Sequence, residues 1–179
     1  MMKKLLLHAC CGPCATYSHR VFEEAGWNVT VYFFNPNIYP EYEFVKRYVE
    51  LKRYCGKSGL PLVFDFENVE LTPGQCSACY GSRLKKTAAF AKENGFEAFS
   101  TTLLISPYQD HELIKKTGEN VSDEMSVDFV YDDLRTGYRE SRIISREHGL
   151  YMQKYCGCEN SFRQMNERSK KNERLATTA

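Results

Sequence analysis

Short apolar runs alternate with longer amphipathic stretches from one end of the chain to the other, and that alternation constrains the fold more than any other feature. KKLLLHA (3–9), NVTVYFFNPNI (28–38), PLVFDF (61–66), FEAFSTTLLIS (96–106) and VDFVYDD (127–133) read as strands. Helical patterns lie between and after them, at 13–25, 41–59, 80–94, 110–126 and 136–150. Pro13 suits a first helical turn, Gly26 and Gly95 act as stops, and a break is expected near Gly118. Strand–helix alternation of this kind implies a parallel sheet with helices on both faces and right-handed crossovers. With 179 residues the chain fits one domain and buries a core without disulfide or metal staples. The α/β domain is expected to span 1–163, followed by a polar basic tail at 164–179 that frays or forms a loose helix.

The cysteines therefore need a reason other than stability. There are eight: Cys10, Cys11, Cys14, Cys55, Cys76, Cys79, Cys156 and Cys158. The opening MMKKLLLHACC is too short in its apolar run for a signal peptide or a membrane span, and no later run approaches one. The expectation is a cytoplasmic protein with reduced thiols, in which clustered cysteines serve as metal ligands or redox groups. In open α/β sheets sites form beyond the carboxyl ends of the strands. HACCGPC (8–14) and STTLLISPYQD (100–110) lie at such ends, and CSAC (76–79) lies in the loop after the third strand, just ahead of a helix. Cys10 and Cys11 are adjacent, a spacing that disfavours a mutual disulfide. At the mouth of a helix, however, the positive end of the helix favours thiolates, the metal-binding form. CSAC alone is ambiguous between zinc, an iron–sulfur cluster and a dithiol.

Cys10, Cys11, Cys14, Cys76 and Cys79 together make a five-thiol metal-binding set. Cys10, Cys11, Cys76 and Cys79 are the expected ligands of a cluster, which needs four, and Cys14 is left over for a second metal or for substrate. His8 and Asp110 are candidates for that second site, although such residues at a strand end more often serve as hydrogen-bonding groups than as ligands. Cys156 and Cys158 flank a glycine, beyond the helix expected at 136–150, and read as a redox-active dithiol or a further ligand pair. Cys55 is given a structural role.

HACCGPC, CSACYGSRLKKTA, FSTTLLISPYQ and YRESRIISREHGLYMQKYCGC together resemble the cobalamin-independent epoxyqueuosine reductases, from residue 4 to about residue 163. The resemblance implies a Rossmann-like, nucleotide α-hydrolase-like fold and an oxidoreductase. The reaction it implies reduces the epoxide of epoxyqueuosine to the alkene of queuosine at the tRNA wobble position. It also implies iron–sulfur chemistry, here a [4Fe–4S] cluster with room for an additional iron ion. Cys156 and Cys158 would return electrons from an external donor, with Asp110, His8 or Tyr108 supplying protons.

The net charge of +1 announces no overall attraction to nucleic acid, so a tRNA partner requires a local patch. Arg135, Arg139, Arg142 and Arg146 recur at helical spacing opposite Ile143, Ile144 and Leu150, and Arg139 and Arg142 are the candidate tRNA contacts. Arg83, Lys85 and Lys86 beside CSAC, and Arg168, Lys170, Lys171 and Arg174 in the tail, add charge. Tyr108 or Tyr155 can stack on a splayed base. Two other readings compete. An ATP-using tRNA-modifying enzyme would need a phosphate loop where ACCGPC stands. A zinc scaffold would leave Cys156 and Cys158 without a task.

Overall fold

The computed structural model describes residues 2–177 apart from Asn68, Glu70 and Pro73; for 173–177, which include Arg174, it describes the backbone alone. Five strands form one sheet: β1 (Lys3–His8), β2 (Trp27–Phe34), β3 (Leu62–Asp65), β4 (Ala98–Thr101) and β5 (Asp128–Phe129). Their order is β3-β2-β1-β4-β5 and every pairing is parallel. The helices are α1 (Gly12–Glu24), α2 (Glu41–Ser58), α3 (Cys76–Glu93), α4 (His111–Met125), α5 (Tyr138–Glu147) and α6 (Glu159–Thr177). The architecture is thus the Rossmann-like parallel sheet that the alternation predicts.

β1 is flanked on both sides, and its apolar run fits that position. Leu5, Leu6 and Leu7 are fully buried, each contributing about 2 kcal/mol. Successive residues point to opposite faces. Leu5 and Leu7 meet Phe22 of α1, whereas Leu6 meets Leu84 and Ala88 of α3 and Val121 of α4. α1 and α2 cover one face, α2 through Leu51 and Tyr54 against Val31 and Phe33, and α5 packs on α1. α3 and α4 cover the other face. The chain runs outward from β1 to β3 and then returns to β4 on the opposite flank of β1. The crevice between the carboxyl ends of β1 and β4 is therefore the switch point, where open sheets place their sites.

Several elements depart from the sequence expectation. β4 stops at Thr101 because the Thr101 hydroxyl accepts the Leu103 N–H at 3.1 Å and turns the chain into a short 3-10 helix, Thr102–Ile105. β5 is only two residues long. α3 begins at Cys76, so CSAC is the first turn of the helix rather than a loop ahead of it. α4 runs unbroken through Gly118, where a Cβ would come within 2.2 Å of the Phe129 ring. That glycine permits close packing and does not interrupt the helix. α5 buries Ser141 and Ser145 instead of its isoleucines, and Ile143 is exposed. Small side chains let α5 approach α1 closely enough for the Thr16 hydroxyl to donate to Ser141 O at 3.3 Å. The two serine hydroxyls turn back onto the helix, to Tyr138 O and Ser141 O. Beyond the Cys156–Cys158 segment the chain forms α6.

Candidate metal and redox site

His8 ends β1 and ties the switch point together. Its Nδ1 lies 2.9 Å from the Thr101 hydroxyl of β4, and its Nε2 lies 3.0 Å from Phe34 O of β2. The Thr101 oxygen already accepts from Leu103, so its own proton serves His8 Nδ1, and Nε2–H donates to Phe34 O. Burial, aided by the Arg83 charge, lowers the His8 pKa to about 4, so the ring is neutral. Both ring nitrogens are engaged in these hydrogen bonds.

The chain then turns into α1. Cys11 is the N-cap residue with extended backbone, no side chain caps the helix, and Pro13 lies in the first turn. The first turn contains no acidic residue, so the free N–H groups and positive helix end face the thiols. The sulfurs of Cys10, Cys11 and Cys14 all lie within 4.8 Å of one another, and all three residues are buried. Cys10 and Cys11 sulfurs are 3.7 Å apart. Cys10 is drawn well below the ordinary thiol range by the hydrogen bonds it receives from Cys11 and Cys14. Burial, reinforced by Cys10, pushes Cys11 up, and Cys14 rises chiefly through its hydrogen bonds to the other two. The shared hydrogen bonds thus favour negative charge at one sulfur of the group over charge at all three. Such soft sulfur donors suit zinc or iron–sulfur centres rather than magnesium or calcium.

Gln153, from the segment after α5, completes this pocket. Its Nε2 lies 2.9 Å from Cys11 Sγ and 3.6 Å from Cys14 Sγ, while its Oε1 is buried without a partner. Sequence reasoning missed Gln153 as a partner of the thiols, although it lies within the YRESRIISREHGLYMQKYCGC stretch.

Cys76 and Cys79 lie in the first turn of α3, outside the three-thiol group. Cys79 Sγ accepts from Asn37 Nδ2 at 3.2 Å. Cys76 is exposed; partial desolvation of its sulfur, then the charges of Cys79, Cys158 and Asp110, raise its thiol. One turn beyond Cys79, Arg83 is buried, so it is no part of an exposed basic patch. Its Nη1 donates to Asn35 Oδ1 at 2.6 Å and its Nη2 to Asn37 Oδ1 at 2.7 Å. Its Nε is buried without a partner. Cys79, Cys10 and Cys156 all act on Arg83 electrostatically, and Asn35 Nδ2 donates to Ala9 O at 2.9 Å. Asn35-Pro36-Asn37, legible in the sequence only as a turn, thereby links the Cys10 loop to α3 through a buried cation.

Cys156 and Cys158 lie between α5 and α6 as free thiols. Gln109 bridges this segment to α3: its Oε1 accepts from Tyr80 OH at 2.7 Å, and its Nε2 lies 3.5 Å from Cys156 Sγ. Asp110 caps α4 by accepting the Leu113 N–H at 3.0 Å. Arg47, unremarked in the sequence, is 1% exposed and pairs with Glu43 at 2.7 Å. It donates to the carbonyls of Tyr155 and Cys156. Cys55 is buried in the α2 core, and burial holds its thiol up near about 12.

On the outside, Lys85 pairs with Glu124, Lys86 with Asp65 and Glu67, and Arg135 with Asp133. Among the described residues Arg139, Arg142 and Arg146 have no carboxylate partner within 4.0 Å. Arg139 is exposed, and Arg142 rests over the Tyr138 ring. Tyr108 is exposed and meets Tyr138 edge-on, whereas Tyr155 OH donates to Tyr39 O. No helix among the described residues is long and apolar enough to cross a membrane.

The fold is shared with the U34-tRNA thiolase NcsA from Methanococcus maripaludis, a structure described with its [4Fe-4S] cluster. The TM-score is 0.59 at 12% identity, over 97% of this chain and 66% of the thiolase, which places the sheet in the nucleotide α-hydrolase-like group. At the sequence level, the epoxyqueuosine reductase QueH from Dehalococcoides mccartyi is 40% identical over 88% of this chain and 92% of its own length. The corresponding protein from Histophilus somni is 36% identical over 91% of this chain and 74% of its own. The family model described as epoxyqueuosine reductase QueH matches residues 5–164, a span that takes in the three-thiol group, both cysteines of α3 and the Cys156–Cys158 segment. With these relatives and that span, the chain belongs to the epoxyqueuosine reductase QueH family.

Proposed function

We propose that this protein reduces epoxyqueuosine in tRNA to queuosine, taking up two electrons and two protons and releasing the epoxide oxygen as water. The observation that carries the reading is the buried Cys10/Cys11/Cys14 thiol group at the switch point of a chain from this family. The relatives' named activity, and the extent of both chains that is matched, support it. No side chain alone furnishes two electrons, so a metal or other redox cofactor is required.

The proposed centre is a [4Fe–4S] cluster held by Cys10, Cys11, Cys76 and Cys79. Cys14 is the fifth thiol, nearest the first pair and available to a further iron ion. The all-sulfur donor set, the helix N-terminus behind Cys11 and the buried cations Arg83 and Arg47 support an anionic iron–sulfur centre. The likeness in fold to a thiolase described with such a cluster is compatible with it. When bound, the cluster supplies electrons singly and an exposed iron as Lewis acid. The chain's own residues do the rest. Gln153 orients the Cys11 and Cys14 sulfurs, and Arg83 offsets negative charge among Cys10, Cys79 and Cys156. Asp110, at the head of α4 and close enough for its charge to act on Cys76, is the proposed proton relay. Cys156 and Cys158 return two electrons by forming a disulfide that an external donor resets. Arg139 and Arg142 contact tRNA phosphates.

Anaerobically prepared protein tests this reading. It is expected to be coloured, with about four irons and four labile sulfides per chain. Colourless protein with about one zinc and no sulfide overturns the cluster. Cys156→Ser is expected to retain the metal and lose multiple turnover on tRNA carrying epoxyqueuosine; loss of the metal instead makes Cys156 a ligand.

A further inference from the structure

Cys156 and Cys158 stand on either side of Gly157, whose φ of +130° lies where residues with a side chain are strained. The two sulfurs face different surroundings. Cys156 Sγ is turned toward Gln109 Nε2 and the positive charge of Arg83. The backbone around it is pinned: Arg47 Nη2 donates to Tyr155 O at 2.9 Å, and Nη1 donates to Cys156 O at 2.8 Å. Tyr39 N donates to Gly157 O at 2.7 Å. Cys158, the less exposed of the two residues, has other neighbours. Its thiol lies 3.4 Å from Ser161 Oγ, and the residue lines an open cavity of about 210 Å³ with Pro36, Ile38, Tyr39, Leu71 and Glu159.

We infer that this cavity admits a low-molecular-weight thiol reductant, that Cys158 is the sulfur it attacks, and that Cys156 is the sulfur facing the reaction centre. The inference rests on the redox dithiol of the proposed function. A thiolate RS⁻ attacks Cys158 Sγ of the Cys156–Cys158 disulfide. The S–S bond breaks, its electron pair leaves with Cys156 Sγ, which takes up a proton, and RS–S–Cys158 forms. A second thiolate attacks the sulfur carried by R, releasing RSSR and a Cys158 thiolate that takes up the second proton. Two thiols become one disulfide, and two electrons pass to the protein. Burial raises the Cys156 thiol, and Arg83 offsets part of that cost for the departing thiolate. The clamp on Tyr155 and Cys156 holds the Cys156 backbone in place while Cys158, at the cavity, exchanges.

The exchange is measured in reverse, with glutathione disulfide as the probe on the anaerobic full-length protein. Cys156→Ser and Cys158→Ser each leave one sulfur to accept the glutathione, and the adduct is located by peptide mass. The adduct on Cys158 in the first variant is expected to form about tenfold faster than that on Cys156 in the second. Equal rates, or a faster Cys156, overturn the assignment. Adding Leu71→Trp to the first variant fills the cavity and is expected to slow the adduct on Cys158; an unchanged rate overturns the cavity as the entry site. The wild-type protein separates this inference from the reading beneath it. If glutathione disulfide never produces an internal Cys156–Cys158 disulfide, the dithiol reading itself fails. If it does and the adduct favours Cys156, only the present assignment fails.

Discussion

Gly118 and His8 show how single residues serve packing where the sequence suggests something else. Gly118 lies in α4 over the Phe129 ring, which itself packs on Phe99 with ring centroids 5.1 Å apart. Alanine there gains helix propensity, about 1 kcal/mol, but forces the Phe129 ring out of its place. Gly118→Ala is expected to lower stability by about 1–2 kcal/mol in urea unfolding. His8 is buried neutral, with its pKa near about 4 instead of 6.5. As pH falls through 6.5 the unfolded chain gains a proton at this position and the folded one does not, so folding loses stability down to about pH 4. The loss amounts to about 3 kcal/mol, fully present only below the folded value. In metal-free protein, wild type is expected to lose about that much more stability between pH 7 and pH 4 than His8→Gln, which lacks the titrating ring. Equal losses in urea unfolding at the two pH values would show that His8 does not titrate this way.

Among the elements, α5 presents the surface through which a polyanion is proposed to be met. Its buried side is made of Ser141 and Ser145, so substitutions on the opposite side leave the α1 packing alone. Arg139 is exposed and Arg142 half-buried over Tyr138. Replacing both by glutamate is expected to weaken tRNA binding at least tenfold at low salt and to flatten its salt dependence, measured by filter binding or anisotropy. The same helix marks a boundary of legibility. The arginine spacing was readable, yet the buried side was not, because serine is apolar enough for a close helix crossing and polar enough to look exposed. CSAC was likewise legible as a ligand pair but not as the first helical turn, since Gln75 caps α3 without a side-chain hydrogen bond.

At the scale of the whole molecule, the parallel sheet and its flanking helices follow from the alternation of apolar runs and amphipathic stretches, and the position of HACCGPC follows from the carboxyl-end rule. The polar framework did not follow. Arg47, Arg83, Asn35 and Gln153 act through contacts between residues 26 to 142 positions apart, which no local pattern encodes. The core, by contrast, is built mainly of aliphatic and aromatic side chains, to which Cys10, Cys11, Cys14 and Cys55 add as small buried residues. Leu5, Leu6, Leu7, Phe33 and Phe99 are fully buried. Protein stripped of metal by a chelator under reducing conditions is therefore expected to keep its far-ultraviolet circular dichroism and to melt cooperatively, with Tm lowered by only a few degrees. Unfolding on metal removal would instead make the centre a structural staple.

The reach from Cys11 to Gln153 has a consequence for how the molecule is made. Until the ribosome has added residue 153, the amide that steadies the first sulfurs has not been synthesised, and neither have Cys156 and Cys158. Any metal offered earlier would meet the Cys10, Cys11 and Cys14 sulfurs without that amide. Ordering of these sulfurs is thereby tied to synthesis of the chain through residue 153, and a chain truncated before that point would retain all five strands yet lack the amide that steadies the thiols.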